Sequence, residues 1–428
     1  MNESLFQYLW KNALFNPISL SSRNGEAIQI LNTGRLNTDS GPDFKEGKIK
    51  INNTIWVGNI ELHLKSSDWI KHRHAEDPNY KNIILHVVYE DDSGFDHGNF
   101  PTLELKKHLN PEVIQRYEHL MSRIEHIPCH DQIHSVPELS WTSWLNRLTA
   151  ERWEQRLVEW EDLWNHAKND WRTLLYYRMA ANFGFHVNRD AFLDLARSIP
   201  LKILTQHRKN IFQTEALLFG QAGFLSNSNQ DTYAKDLEKE YHFLRRKYGL
   251  TPMLPQRWKF MRMRPANFPT IRIAQFAMLV HKSLALFAKM MEIKNAKEIY
   301  PLLNLQTSEY WQSHYRFSEI AKEESIKNLG KDAVNNLIIN TVAPMQYLYA
   351  KLQGKTGLQE TSVELLQSLP PENNNIIRMW KEMGIKAKDA SESQALIQLY
   401  QNYCTPKNCL NCSVGHFLLK SNPLIYTH

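Results

Sequence analysis

The sequence predicts an α+β protein, with a mixed β-sheet in an amino-terminal domain over residues 1–110 and a large all-helical region over 111–428. Two observations carry this. Apolar residues alternate with polar ones through Gly58–Trp69, where Ile60, Leu62 and Leu64 face one way and Glu61, His63 and Lys65 the other, as an extended strand requires. Beyond Pro111 the spacing changes to the helical period, with Trp144, Leu145, Leu148, Trp153, Leu157, Trp160 and Trp164 on one stripe. At 428 residues, 42% hydrophobic and 22% charged, the chain has an ordinary globular composition and room for two or three cores.

Taken in order, Ser4–Lys11 reads as a short helix and Ala27–Leu31 as a weakly alternating strand. Gly47–Ile51, Asn52-Asn53 and Thr54–Val57 form a hairpin signal, because Asn tolerates the positive φ of a tight turn. Ile83–Tyr89 suits a buried strand and Thr102–Leu105 a further one, with loops at 91–94 and 96–101 between them. Helices are expected over 141–168, 174–183, 189–197, 214–220, 231–247, 274–291, 334–352, 363–369 and 392–403. There is no apolar run of about eighteen residues and no signal-peptide layout at the start, so the expectation is a soluble, cytoplasmic protein without membrane association.

Chemistry concentrates on the alternating strand. Asp43, at the turn Gly41-Pro42-Asp43-Phe44, precedes Glu61 by eighteen residues, and His63 and Lys65 follow on the same face. This short pattern resembles PD-(D/E)xK nucleases, in which two carboxylates hold a divalent cation beside a phosphate. The resemblance implies a PD-(D/E)xK-like sheet, with Mg²⁺ or Mn²⁺ held by Asp43 and Glu61 and Lys65 stabilising charge on the phosphate. The lysine two places after the acid is replaced here by His63, which would ligate the metal or act as base. Parity is the structural test: a strict two-residue turn at Asn52-Asn53 sets Asp43 opposite Leu62 and away from Glu61. A three-residue loop, or a bulge at Gly47 or Gly58, restores convergence.

Ten of the 18 histidines lie between positions 63 and 134. His63, His72, His74 and His86, with Asp68 and Asp77 nearby, leave open a zinc or iron centre built on imidazole. Equally open is a plain role, with Asp68 capping a helix and the histidines hydrogen-bonded at the surface.

Between Tyr241 and Arg272 stand eight Lys or Arg residues and no acid, interleaved with aromatic residues. Arg257, Lys259, Arg262, Arg264 and Arg272 are the candidates for gripping nucleic acid; the alternative is solvated charge and pairing with helix carboxylates. Cys404, Cys409 and Cys412 cluster near the carboxyl terminus, and Cys129 is the only other cysteine. Their convergence would build a four-thiolate site for zinc or a [4Fe–4S] cluster, with His416 as a substitute ligand; the alternative is reduced, buried thiols.

Gly41–Phe44, Gly58–His63 with Ser66–Trp69, Ile84–Val88, Ile127–Cys129, Phe183–Asn188, Arg264–Pro269 with Arg272, and the final cysteines together resemble an uncharacterised bacterial family, domain of unknown function 2851. That likeness brings no activity with it. Three functions remain in view: a metal-dependent nuclease-like phosphodiesterase acting on nucleic acid, a non-catalytic nucleic-acid- or protein-binding factor with a structural four-cysteine metal site, and a His-centred metallohydrolase of a small substrate.

Overall fold

The structure is a computed structural model that describes residues 1–93, 100–225, 231–282 and 285–420. Part of the loop expected over 96–101 and of the helix expected over 274–291 falls outside these residues. The chain is α+β, with a mixed sheet near the amino terminus and a large helical region after it. It divides into two compact units, Met1–Trp141 with Tyr400–His428, and Thr142–Leu399. The strands end at Glu104, close to the composition shift at 110. The first unit nevertheless runs on to Trp141 and takes back the carboxyl-terminal segment.

In the first unit, α1 (Glu3–Lys11) is capped by the Asn2 side chain, which accepts from the Leu5 N–H and satisfies one of the helix's orphan donors. Strands β1 (Ile28–Asn32), β2 (Arg35–Leu36), β3 (Phe44–Ile51), β4 (Thr54–Lys65), β5 (Ile83–Glu90) and β6 (Thr102–Glu104) form one sheet. Its order is β1-β3-β4-β5-β6, with β2 paired to β3. The β3–β4 hairpin turns at Asn52-Asn53, where Asn52 adopts a φ of 51° and Ile51 pairs with Thr54. β4 and β5 run parallel, so a crossover is needed. It contains α2 (Asp68–Lys71) and two short turns, His74–Glu76 and Pro78–Tyr80. Ile60, Leu62, Leu85 and Val87 are fully buried, each contributing about 1.5–3 kcal/mol of apolar transfer.

Parity resolves through a bulge. Gly47 pairs with Gly58, but Phe44 pairs with Ile60, so β3 carries one extra residue between them. Glu46 takes a φ of 59° within the bulge. Gly47 is required beside it because a Cβ there would collide with the Ile60 side chain. The added residue turns Asp43 to the Glu61 side of the sheet.

In the second unit, α4 (Glu138–His166, after α3 at Pro111–Ser122), α5 (Trp171–Phe183) and α6 (Arg189–Ser198) lead a helical array. Its core includes Trp153, Trp160, Phe183, Phe276 and Trp311. The helix expected over 334–352 is interrupted by a π-helical turn at Ile338–Val342. The unit also carries a two-stranded ribbon, His314–Arg316 with Glu319–Ile320, and an isolated bridge between Gln306 and Asn328. Among the described residues no single helix is long and apolar enough to cross a membrane.

Candidate metal centre

β4 delivers Glu61 and His63 to the covered face of the sheet, where they are only 5% and 3% exposed. Asp43 arrives from the turn before β3. Its N–H donates to Glu61 Oε2 at 3.0 Å, and its Oδ2 accepts from the Leu62 N–H at 3.0 Å. Gln7 of α1 donates to Asp43 Oδ1 at 2.9 Å, which fixes the carboxylate from the other side.

The crossover supplies the rest. His72 ends α2, Arg73 takes a φ of 57°, and that reversal folds His74 back over the strand. Nε2 of His74 lies 3.3 Å from both Glu61 Oε1 and His63 Nε2, and His63 Nε2 lies 3.7 Å from the same Glu61 oxygen. Ligand atoms of His63, His72 and His74 all lie within 4.8 Å of one another. On its other side, His63 Nδ1 is 2.9 Å from Nε2 of His86, which β5 holds fully buried opposite Glu61. Tyr80 stacks on His74, with ring centroids 4.0 Å apart, and Trp69 packs its edge and face against His63, His74 and His86. Aromatic walls thus set the ring orientations of the imidazoles.

Burial dominates the electrostatics. It pushes Glu61 up to about 8, helped by the Asp43 charge, while the Asp43 N–H pulls the other way. Burial also raises Asp43 to about 6, opposed by the Leu62 N–H and the Gln7 amide. His74 is lowered by burial and then by His72, so its imidazole is neutral near pH 7. Two carboxylates raised by burial beside the His74 imidazole leave an unmet demand for positive charge.

Several residues singled out in the sequence stand elsewhere. Lys65 is exposed, its ammonium 4.0 Å from Asp92 Oδ2, so it is not grouped with the carboxylates. Asp68 accepts from the Lys65 N–H at 3.3 Å, and Asp77 caps the turn at Pro78–Tyr80 through the Asn79 N–H, so both hold backbone. Gln7 and Tyr80 went unnoticed in the sequence. Gln7 and Glu3, four apart on one helix, were the available signal.

The cysteines form a second grouping in the first unit. Cys129, Cys404, Cys409 and Cys412 are all buried. The loop of the last three is tied to the chain before Cys129 by Lys407, which donates to the Met121 and Arg123 carbonyls at 2.7 Å each. Gly415 allows close approach, since a Cβ there would strike the Cys409 carbonyl. Burial, then Cys412 and Cys409, push the Cys129 thiol up to about 12; burial, then Cys129, Cys412 and Cys409, raise Cys404. The four thiols therefore lie within electrostatic reach of one another. His416 Nδ1 is hydrogen-bonded to the Tyr8 hydroxyl at 2.9 Å.

In the second unit Arg257, Lys259, Arg262 and Arg264 are exposed, and Arg257 pairs with Asp194. Arg272 is buried instead. It donates to Gln275 at 2.9 Å and Asn267 at 2.6 Å and covers the Phe185 ring.

Fold and site together define an α+β protein whose sheet carries a buried cluster of carboxylates and imidazoles. The chain belongs to the family described as Protein of unknown function (DUF2851), which it matches over residues 3–375. Cys404, Cys409 and Cys412 lie beyond the matched stretch. No curated protein and no solved structure matches the chain.

Proposed function

We propose that the first unit is a metal-dependent, nuclease-like phosphodiesterase. One observation carries this: Glu61 Oε1, His63 Nε2 and His74 Nε2 stand 3.3–3.7 Å apart, beside Asp43. Glu61, His63 and His74 would hold the ion, with His72 at the rim, and the ion would polarise a phosphate oxygen and acidify a bound water. Asp43, held in place by Gln7 and the Leu62 N–H, is the group placed to take a proton from the attacking water. His86 orients His63 through Nδ1, as the outer partners of metal-bound imidazoles do. Three imidazoles to one carboxylate favour Mn²⁺, Zn²⁺ or Fe²⁺ over Mg²⁺, which prefers an all-oxygen shell. The phosphodiester assignment rests on the Asp43…Glu61 pattern and on the exposed cations of 257–264.

The test is cleavage of labelled single- and double-stranded DNA and RNA with Mn²⁺, Zn²⁺ or Mg²⁺ added, for wild type, Glu61→Ala and His74→Ala. Metal-dependent cleavage lost in both variants supports the reading. Salt-sensitive nucleic-acid binding without cleavage replaces it with a binding factor. Hydrolysis of small esters alone replaces it with the small-substrate metallohydrolase, which the imidazole excess favours.

We also propose that the four thiols hold a metal centre, zinc or [4Fe–4S]. Four buried sulfurs, three from Cys404–Cys412 and one from the distant Cys129, support it. Metal and acid-labile sulfide analysis of Cys129→Ser against wild type decides: brown absorbance with iron and sulfide, colourless stoichiometric zinc, or neither, which overturns it.

A further inference from the structure

The second unit gathers four arginines from three consecutive helices. Arg152 and Arg156 sit one turn apart on α4, Arg178 lies on α5, and Arg189 opens α6. Arg152 and Arg156 share one acceptor, Gln394 Oε1, at 2.7 and 2.9 Å, and Arg178 lies over Trp160, one turn further along α4. Arg189 is near enough for its charge to act on Arg156 and Arg178. Glu372 and Glu159 are the acids whose charges reach this locus. Glu159 is exposed, and Glu372 is engaged by the Gln394 amide.

Among the described residues Arg156 meets only neutral acceptors: Asn340 Oδ1 and Gln394 Oε1 at 2.9 Å each, and the Ile339 carbonyl at 3.4 Å. The π-helical turn at Ile338–Val342 presents that carbonyl and Asn340. Arg178 is only 5% exposed. Its guanidinium lies over the Trp160 ring at 4.4 Å, and its Nε has no hydrogen-bond partner among the described residues. A buried cation ordinarily pairs with an anion, because leaving it unpaired costs several kcal/mol of solvation. Arg178 is buried, while Arg152, Arg156 and Arg189 are half-buried. The first turn of α6, whose Asn188 makes no side-chain cap, carries Arg189 and Asp190.

We propose that Arg152, Arg156, Arg178 and Arg189 form a phosphate-binding cleft in the helical unit. Guanidinium forks match phosphate oxygens two at a time, and one dianion offsets the excess charge. A nucleic-acid backbone and a free phosphorylated ligand offer the same chemistry. The cleft stands independently of the reading of the acidic site.

The test uses the full chain as wild type, Arg156→Gln, Arg189→Gln and Arg178→Met. Melting is followed in inorganic phosphate and in sodium chloride of equal ionic strength, and binding of a labelled oligonucleotide by anisotropy. Arg178→Met removes an unpaired buried charge and is expected to fold. Phosphate should raise the wild-type midpoint by several degrees, and each variant should lose at least tenfold in phosphate affinity. Matching loss of oligonucleotide affinity assigns the cleft to a nucleic-acid backbone; unchanged oligonucleotide affinity assigns it to a free phosphorylated ligand. A wild-type midpoint indifferent to phosphate, or variants that respond as wild type does, overturns the proposal. Cleavage through Glu61 that persists in those variants leaves the acidic-site reading untouched.

Discussion

Glu61→Gln should stabilise the metal-free protein, contrary to the usual result of altering a buried charged residue. Burial and Asp43 raise Glu61 from an ordinary 4.5 to about 8. In this interval the folded chain keeps a proton that the unfolded chain has lost. Stability from this group is therefore fully present below about pH 4.5, falls as pH rises, and is exhausted above about pH 8. The interval corresponds to at most about 5 kcal/mol, at 1.36 kcal/mol per pH unit. Glutamine mimics the protonated acid: its carbonyl accepts from the Asp43 N–H, and its amide reaches His74 Nε2 where the protonated acid would. The variant and wild type should thus converge near pH 4.5 and diverge to about 3–5 kcal/mol in favour of glutamine at pH 8. The assay is denaturant-dependent amide exchange of β4 in chelator from pH 4.5 to 9, which isolates the first unit from the second. Adding Mn²⁺ or Zn²⁺ should reverse the order above pH 7, because only wild type gains a ligand for the ion. A metal-free variant less stable than wild type at pH 8 would refute the claim that Glu61 is held under electrostatic strain.

His86→Ala removes the outer partner of His63 without touching the other ligand atoms, and calorimetric metal affinity should fall by about 10–100-fold. Deleting Glu46 removes the bulge, returns Asp43 to the face opposite Glu61, and should abolish metal-dependent cleavage while the Asn52-Asn53 hairpin still forms, as chemical shifts would show. Gln7→Leu removes a bond that lowers Asp43, so Asp43 should titrate above its present value of about 6 and the acid limb of metal-dependent cleavage should move to higher pH. An unmoved limb would show that Asp43 is not the base.

The strand bearing Glu61 and His63 was legible because its polar and apolar residues alternate without a break from Ile60 to Lys65. The side of the sheet taken by Asp43 was not. The bulge lies between Phe44 and Gly47 and places a glutamate, not a glycine, at positive φ, so local composition does not announce it. His72 and His74 are equivalent in sequence, and only the left-handed Arg73 between them turns His74 onto Glu61. The basic segment read as one patch, yet Arg272 falls on Pro269–Lys282, a helix buried nearly all round, and goes inside. Arg152, Arg156, Arg178 and Arg189 look like ordinary amphipathic-helix cations. Their meeting depends on how three helices pack, which periodicity within each helix does not encode.

Helix α1 ties the two candidate centres of the first unit together. Gln7 grips Asp43, and the next residue, Tyr8, is hydrogen-bonded to His416 on the helix that follows Cys412. The backbone N–H of His416 donates to the Cys412 carbonyl at 2.8 Å. Adjacent residues leave a helix about 100° apart, so one short helix can face the sheet with one side chain and the cysteine loop with the other. Each link is a single hydrogen bond of about 1 kcal/mol and cannot by itself hold a helix in place. Leu5, Phe6, Leu9 and Trp10, none of them exposed, supply the packing that makes α1 rigid, so the bonds need only set its rotation. A metal centre at the thiols would then fix the rotation of α1, and through Gln7 the carboxylate of Asp43, without contributing any atom to the acidic site.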